Sequence, residues 1–232
     1  MFWQDDDKQE IEVTDDVVDL LFHIECRTLP VDHAYDLSQA LLRVTPWLTD
    51  DERIGVHTVH LAGSQNGWER PDPALGQTLQ LSRRTKLTIR VPREHMDRLQ
   101  SELVGATLDI AGNPLTIGAA KTRTLSRQGT IFARYVVLEA GEDQDEHRFL
   151  SRAADRLTAR EIRMRKALCG KTALLQTPDG PIATRSLMLA DLKPEESLRL
   201  QQEGLGPLRH MGCGIFIPHK GIEAVKKSVE DD

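Results

Sequence analysis

Gly204-Leu-Gly-Pro-Leu-Arg-His-Met-Gly-Cys-Gly-Ile-Phe-Ile-Pro-His-Lys-Gly221 gathers five glycines, two of the chain's eight histidines, Arg209 and Lys220 around a short apolar run, Ile215 to Ile217. Glycine lets the main chain take positive φ and lets another group approach it closely. Clustered N–H groups beside Arg209 and Lys220 suit an anionic, phosphate-bearing partner. Just upstream, Pro194-Glu-Glu-Ser-Leu-Arg-Leu-Gln-Gln-Glu203 reads as a helix opened by Pro and acidic residues and stopped by Gly204. The glycine loop therefore follows a helix and feeds a strand. A dinucleotide fingerprint or a P-loop follows a strand and opens a helix, so both are excluded by direction; the glycine spacing fails as well, and no Gly-Lys-Ser/Thr is present.

Working outward, each half of the chain carries the same order of elements. Val17-Val-Asp-Leu-Leu-Phe-His-Ile-Glu-Cys-Arg27 is a strand rich in β-branched and aromatic residues. Asp32 is a natural N-cap for a helix over 33–44, with Ala34, Leu37, Ala40 and Leu41 at helical spacing. Strands are expected over 54–61 and 86–91, separated by a polar loop over 63–77. A helix opened by Pro92 runs to about residue 104, and short strands over 107–110 and 115–117 close the unit. The second half repeats this. A strand over 130–139 precedes an acidic loop, and a helix spans 146–168. A hairpin turns about Pro178-Asp-Gly180 between strands 172–176 and 182–188, and the 194–203 helix, the glycine loop and a last strand follow. The fold expected is α+β, two tandem ferredoxin-like βαββαβ domains. Residues 17–125 form the first, 126–222 the second, with an acidic tail over 1–16 and a charged one over 223–232.

At 232 residues the chain is long enough for two such domains. No apolar run reaches 18 residues, so no membrane partner is expected. Met1-Phe-Trp-Gln-Asp-Asp-Asp does not read as a signal peptide. Three widely separated cysteines, Cys26, Cys169 and Cys213, fit a reducing cytoplasm. The close metal-ligand pairs, His57-x-x-His60 and His210-x-x-Cys213, each lack a second pair, so neither metal nor other cofactor is expected. The net charge is −6, yet residues 1–20 hold eight acids against one lysine and the last ten hold four against two, leaving 24 acids and 27 bases between. A basic body with acidic ends is compatible with nucleic acid.

The tandem βαββαβ order with a glycine-rich loop between the last helix and last strand resembles the RAMP superfamily of CRISPR-associated proteins. With Leu81-Ser-Arg-Arg-Thr-Lys-Leu87 and Pro30-Val-Asp-His-Ala-Tyr35 added, the chain resembles more narrowly the precursor-processing endoribonucleases of type I systems. The resemblance implies a metal-independent endoribonuclease that cuts CRISPR repeat RNA in the precursor transcript and stays bound to the mature guide RNA. Other subunits of a type I effector complex are further partners it implies. The alternative is a non-catalytic RAMP subunit that binds guide RNA as a scaffold. In such cleavage the 2′-hydroxyl attacks the adjacent phosphorus, leaving 2′,3′-cyclic phosphate and 5′-hydroxyl ends, and the protein aligns the nucleotide and moves protons.

His33 falls at the expected N-terminus of the first helix, where many members of that family carry their catalytic histidine, and the positive helix end favours its neutral form. His57 is the rival. It sits three residues from His60 on one expected strand, so the two face opposite sides and at most one reaches the site. His23, mid-strand, reads as structural. For RNA phosphates the candidates are Arg83, Arg84 and Lys86 before and within a strand, and Arg156, Arg160 and Arg163, which with Arg152 form a stripe at helical spacing. Lys171 and Arg185 flank the hairpin. From the glycine loop come Gly204, Gly206, Arg209, His210, Gly212, Gly214 and Lys220.

Overall fold

A computed structural model describes residues 14–60, 78–142 and 145–219. Most of the acidic N-terminal tail, the 63–77 loop, Lys220 and the charged C-terminal tail lie outside the described residues.

The first unit runs β1 (Val17–Glu25), β2 (Thr28–Pro30), α1 (Ala34–Val44), β3 (Gly55–Val56), β4 (Thr78–Gln80), β5 (Lys86–Pro92), α2 (Met96–Leu103), β6 (Thr107–Ile110) and β7 (Asn113–Thr124). Its five-stranded sheet has the order β3-β5-β1-β7-β6, every neighbouring pair antiparallel. Without the added β6 this is the ferredoxin-like arrangement. Strand alternation sends Val18, Leu20, Phe22 and Ile24 of β1 to one face, where Leu37 and Leu41 of α1 and Leu99 and Leu103 of α2 cover them. The second unit runs β8 (Ile131–Val137), α3 (Glu146–Thr158), β9 (Lys166–Leu175), β10 (Ile182–Ala190), α4 (Pro194–Glu203) and β11 (Phe216–Pro218). Its sheet order, β11-β8-β10-β9, is the same topology, with Ala133, Leu187 and Phe216 buried against Phe149 and Leu157 of α3. The chain is thus two tandem ferredoxin-like units.

Several local expectations change, among them the strand expected over 172–176, which begins at Lys166, and that over 115–117, which runs Asn113–Thr124. The helix expected over 146–168 ends at Thr158, because Ile162 turns inward, its N–H bonding Leu157 O at 2.9 Å, after Glu161 takes φ 59°. Arg160 and Arg163 therefore follow the helix, and the four arginines do not share one helical stripe. The strand expected from 54 is only β3; His57 N–H still bonds Thr88 O at 3.0 Å, after which the chain leaves the sheet. Asp32 does not cap α1. Its carboxylate accepts the Gln176 N–H at 2.8 Å from the second unit, and His33 holds the cap position without a side-chain bond to the helix N–H groups. The β2–β4 ladder was not legible.

The two units are joined through buried charge. Arg90 of β5 is fully buried, its Nε donating to Asp19 Oδ1 at 2.8 Å. Its Nη1 donates across the seam to Gln201 O at 2.9 Å and Phe216 O at 2.8 Å. Arg209 Nη2 donates to Gln202 O at 3.0 Å and to Arg53 O at 2.9 Å. Gln201 and Gln202 lie in the last turn of α4, where carbonyls have no partner within the helix and carry its negative end. Two arginines, one from each unit, supply those partners.

Burial alone would raise the Asp19 carboxyl, but the Arg90 guanidinium overrides it and holds the group well below the usual carboxylate range. A depressed carboxylate stabilises the fold fully above its unfolded value, near 4, and loses that contribution only as pH falls through the folded value. Asp19→Asn leaves Arg90 buried without its counter-ion, at an expected cost of about 3–5 kcal/mol. Urea denaturation across pH should find the gap from wild type constant between about pH 5 and 8, closing only in stronger acid.

Candidate functional site

The N-terminus of α1 is wedged between the units. Ala34 packs with Leu175 and Cys213, with Tyr135 and Leu208 against them. Beside it His33 is 2% exposed. Its Nδ1 lies 2.8 Å from Pro30 O, and its Nε2 accepts the Val59 N–H at 2.9 Å. A carbonyl only accepts and an amide N–H only donates, so the proton sits on Nδ1 and the lone pair on Nε2. Burial pushes the imidazole below its ordinary pKa, and the Pro30 carbonyl opposes this only in part. The result is a neutral imidazole with a fixed tautomer. The expected position at the helix terminus holds, but the ring is not open to solvent: the Val59 amide covers the nitrogen that would do the chemistry. The depressed pKa comes from burial first.

His60 is exposed one residue beyond Val59, its Nε2 2.9 Å from Thr58 Oγ1. Thr58 in turn approaches the glycine loop, with its Cγ2 2.9 Å from where a Gly212 Cβ would stand. His33, the 58–60 segment and the glycine loop are thus brought together. His57 is not among them. Its Nε2 lies 3.6 Å from Asp19 Oδ1, beyond hydrogen-bond reach, and its side chain is 14% exposed. Burial lowers its pKa despite the nearby carboxylate. Because residue 57 still follows β3, its ring turns onto the face covered by the second unit. That placement speaks against proton transfer to RNA.

The glycine loop is closed largely on itself. Gly204, Gly212 and Gly214 give their N–H groups to Leu200 O, Arg209 O and Tyr135 O. A Cβ on Gly204 would stand 1.7 Å from Arg209 Nη1, and one on Gly214 would stand 2.4 Å from Leu205 O; both residues have positive φ. Arg209 is 6% exposed, and burial pushes its pKa down to about 9. The Gly204, Gly212 and Gly214 N–H groups are thus turned into the protein, and Arg209, which borders the cleft described next, spends Nη2 on main-chain carbonyls. Gly206 differs, having Arg156 Nη1 at an ordinary 3.8 Å from its Cβ position. With Arg156, Arg160 and His210 it lines a cleft of about 520 Å³. Arg156 there pairs with Glu139 and Arg160 with Glu203 at 3.3 Å.

The other basic candidates separate. Arg83 and Arg84 are exposed in the turn before β5, and Lys86 lies directly across from His23. His23, Arg27 and Arg83 line a larger cleft of about 1150 Å³, with Gln80 and Asn113. His23 thus borders open space; its place on the face opposite Phe22 and Ile24 was the available signal. Arg163 and Lys171 are exposed on the second unit. Arg185 is 8% exposed, donating to Gly170 O at 3.2 Å with Glu146 at 4.0 Å, so it does not face outward to RNA. Lys220 lies outside the described residues. Among the described residues one histidine–carboxylate trio, Asp51, Glu94 and His95, brings its ligand atoms within 4.8 Å, and the Arg53 guanidinium sits on both of its carboxylates.

The packing of the loop sets an order of tolerance. Gly206→Ala should cost about 1–2 kcal/mol for a left-handed alanine, a drop of roughly 2–8 °C in Tm. Gly214→Ala adds a collision with main chain and should melt far lower or fail to accumulate folded. Differential scanning calorimetry of the two variants checks this ranking.

A family model described as Cas6 Crispr matches residues 18–221. A CRISPR-associated endonuclease Cas6 from Myxococcus xanthus (strain DK1622) is 35% identical over 201 residues, covering 87% of this chain and 81% of that protein. Among solved structures, one described as CRISPR associated protein Cas6 superposes with a TM-score of 0.62 at 10% identity, covering 88% of this chain and 100% of the other. A Cas6-related protein from Pyrococcus furiosus gives 0.57 at 12% identity, covering 86% and 97%. At these identities the structural likenesses speak to the fold.

Proposed function

The chain belongs to the Cas6 family, and from that premise we propose that it is an endoribonuclease that cleaves CRISPR repeat RNA to release guide RNA and retains the product. The cut is metal-independent and leaves 2′,3′-cyclic phosphate and 5′-hydroxyl ends. One observation carries this: the His33 imidazole at the head of α1 is held neutral, with its proton fixed on Nδ1 by Pro30 O and its lone pair on Nε2. This is the form a general base needs. The 2′-hydroxyl takes the place of the Val59 amide as the donor to Nε2, and attack on the adjacent phosphorus follows as the proton leaves. His60, exposed beside that contact, protonates the departing 5′-oxygen. The flanking RNA phosphates lie along the cleft of Gly206, His210, Arg156 and Arg160. No described helix is long and apolar enough to cross a membrane, and other subunits of a type I effector complex are further partners.

The burial of His33, with both nitrogens bonded, favours a second reading: a non-catalytic RAMP subunit in which the ring pins residues 58–60 and the protein binds guide RNA as a scaffold.

Incubation with the repeat RNA of the adjoining locus in EDTA separates the two. Cleavage is expected, and it should vanish when the nucleotide just upstream of the cut is 2′-deoxy. A chelator-sensitive cut, or one through the deoxy position, overturns the mechanism, and intact RNA tightly bound favours the scaffold. His33→Ala should cleave roughly 10²–10⁴-fold more slowly while still binding, whereas folded His57→Ala should cleave normally.

The pH profile follows from the direction of the His33 shift. A histidine lowered below about 6.5 is already a free base at neutrality. The acid limb of the single-turnover rate should therefore lie below the ordinary histidine range, and any fall on the alkaline side belongs to loss of the proton that His60 must donate. A rate still climbing through pH 7–8 would assign the base to another group.

A further inference from the structure

The helices of the second unit cover one face of its sheet, and on the other face the first turn of α1 reaches only the end around Tyr135, Val137 and Ile182. Register places Ile217 of β11 opposite Phe132 of β8, Phe132 opposite Met188 of β10, and Met188 opposite Leu168 of β9. Directly opposed residues share a face, so these four side chains form one apolar row across all four strands. Their neighbours in sequence, Ile131, Ala133, Leu187 and Leu189, are fully buried on the helix side. The row itself is open: Leu168 is 55% and Ile217 36% exposed, and Phe132 and Met188 are half-buried. The His219 ring lies 5.7 Å from that of Phe132.

Two features say what covers this row. Strand alternation puts Thr130, Ala190, Lys166 and His219 beside it on one side, and Arg134, Ser186 and Gly170 on the other. These positions carry three basic side chains, of which Lys166 pairs with the neighbouring Asp191 carboxylate at 2.9 Å, although the chain as a whole is net −6. The same face is also continuous with the seam. One bulge residue past Arg134, Tyr135 packs with Val137 and Ile182 against Ala34 of α1 and Leu208 of the glycine loop. A polymer leaving the seam on this side crosses the apolar row next.

We propose that this face is a stacking platform for single-stranded nucleotides of the RNA. One base lies against Phe132 and His219, the next against Met188 and Leu168, and Lys166 and Arg134 border the phosphate path. Bases stack on aromatic and apolar side chains while cations track the backbone, and each stack is worth a substantial part of single-strand affinity whatever the sequence. The placement of an aromatic side chain on the first strand of a 4-1-3-2 sheet, facing away from the helices, is the geometry this requires. The proposal rests on RNA being the substrate, as above, but not on where or whether it is cut.

The test uses the full chain with a short fluorescent single-stranded RNA, the same sequence closed in a duplex, and the repeat RNA in EDTA. Phe132→Leu keeps an apolar cover and removes the ring; it should weaken single-strand binding roughly 5–100-fold. Duplex affinity and melting temperature should not move, and Phe132→Trp should bind single strands as wild type or better. Wild-type single-strand affinity in folded Phe132→Leu overturns the platform, even if repeat RNA is still cleaved. A change in oligomeric state without a change in RNA affinity also overturns it and gives the face to a second copy. If wild type does not cleave the repeat but single-strand binding depends on Phe132, the nuclease proposal fails and the platform stands.

Discussion

The seam is built around the Arg90 guanidinium. It is buried without any solvent exposure, charge-balanced by Asp19, and aimed at two carbonyls of the other unit, Gln201 O and Phe216 O. A buried ion pair is a weak source of net stability, because desolvating the charges opposes their attraction. Its consequence here is positional. Gln201 lies in the last turn of α4 and Phe216 opens β11, so one side chain ties both flanks of the glycine loop to the first sheet. Arg209, reaching the other way to Arg53 O and Gln202 O, completes the arrangement.

This changes what the glycines are for. A loop between a helix and a strand, with clustered glycines and an arginine, invites an anion-binding interpretation. In the fold, the helix end it follows is satisfied by arginines, and the close approach glycine permits is mainly that of the protein to itself. Gly204 makes room for the Arg209 guanidinium and Gly214 for the Leu205 carbonyl. Gly206, one turn outward, is the part of the motif that borders open space beside Arg156 and His210. A single motif thus divides into an inner half that joins the units and an outer half available to a ligand.

The same seam governs the state of His33. A histidine at an exposed helix terminus would be solvated and free to titrate near its ordinary value. His33 is instead enclosed by the 58–60 segment, and the second unit, through Leu175, Cys213 and Gln176, presses on the first turn of α1 around it. Burial keeps the ring neutral, and the Pro30 carbonyl chooses its tautomer. The local turn supplies orientation and the tertiary contacts supply desolvation, so neither unit alone would set the state of this imidazole.

By itself the sequence determined the repeated βαββαβ order, the bounds of α4, and the position of His33 at the head of α1, because strand alternation, helical spacing and glycine stops are local. It did not determine where Glu161 would reverse the chain after α3, since that turn follows from burying Ile162 in the core. Nor did it separate Arg209 from Arg83 or His57 from His60. Residue type and spacing are equal within each pair, and only the packing of one unit on the other decides which side chain is enclosed. The tertiary structure also assigned Asp32 to Gln176, more than a hundred residues away, instead of to its own helix. Desolvation depends on neighbours distant in the chain, and burial, paired charge and lowered pKa values depend on desolvation, so these were decided by the fold alone.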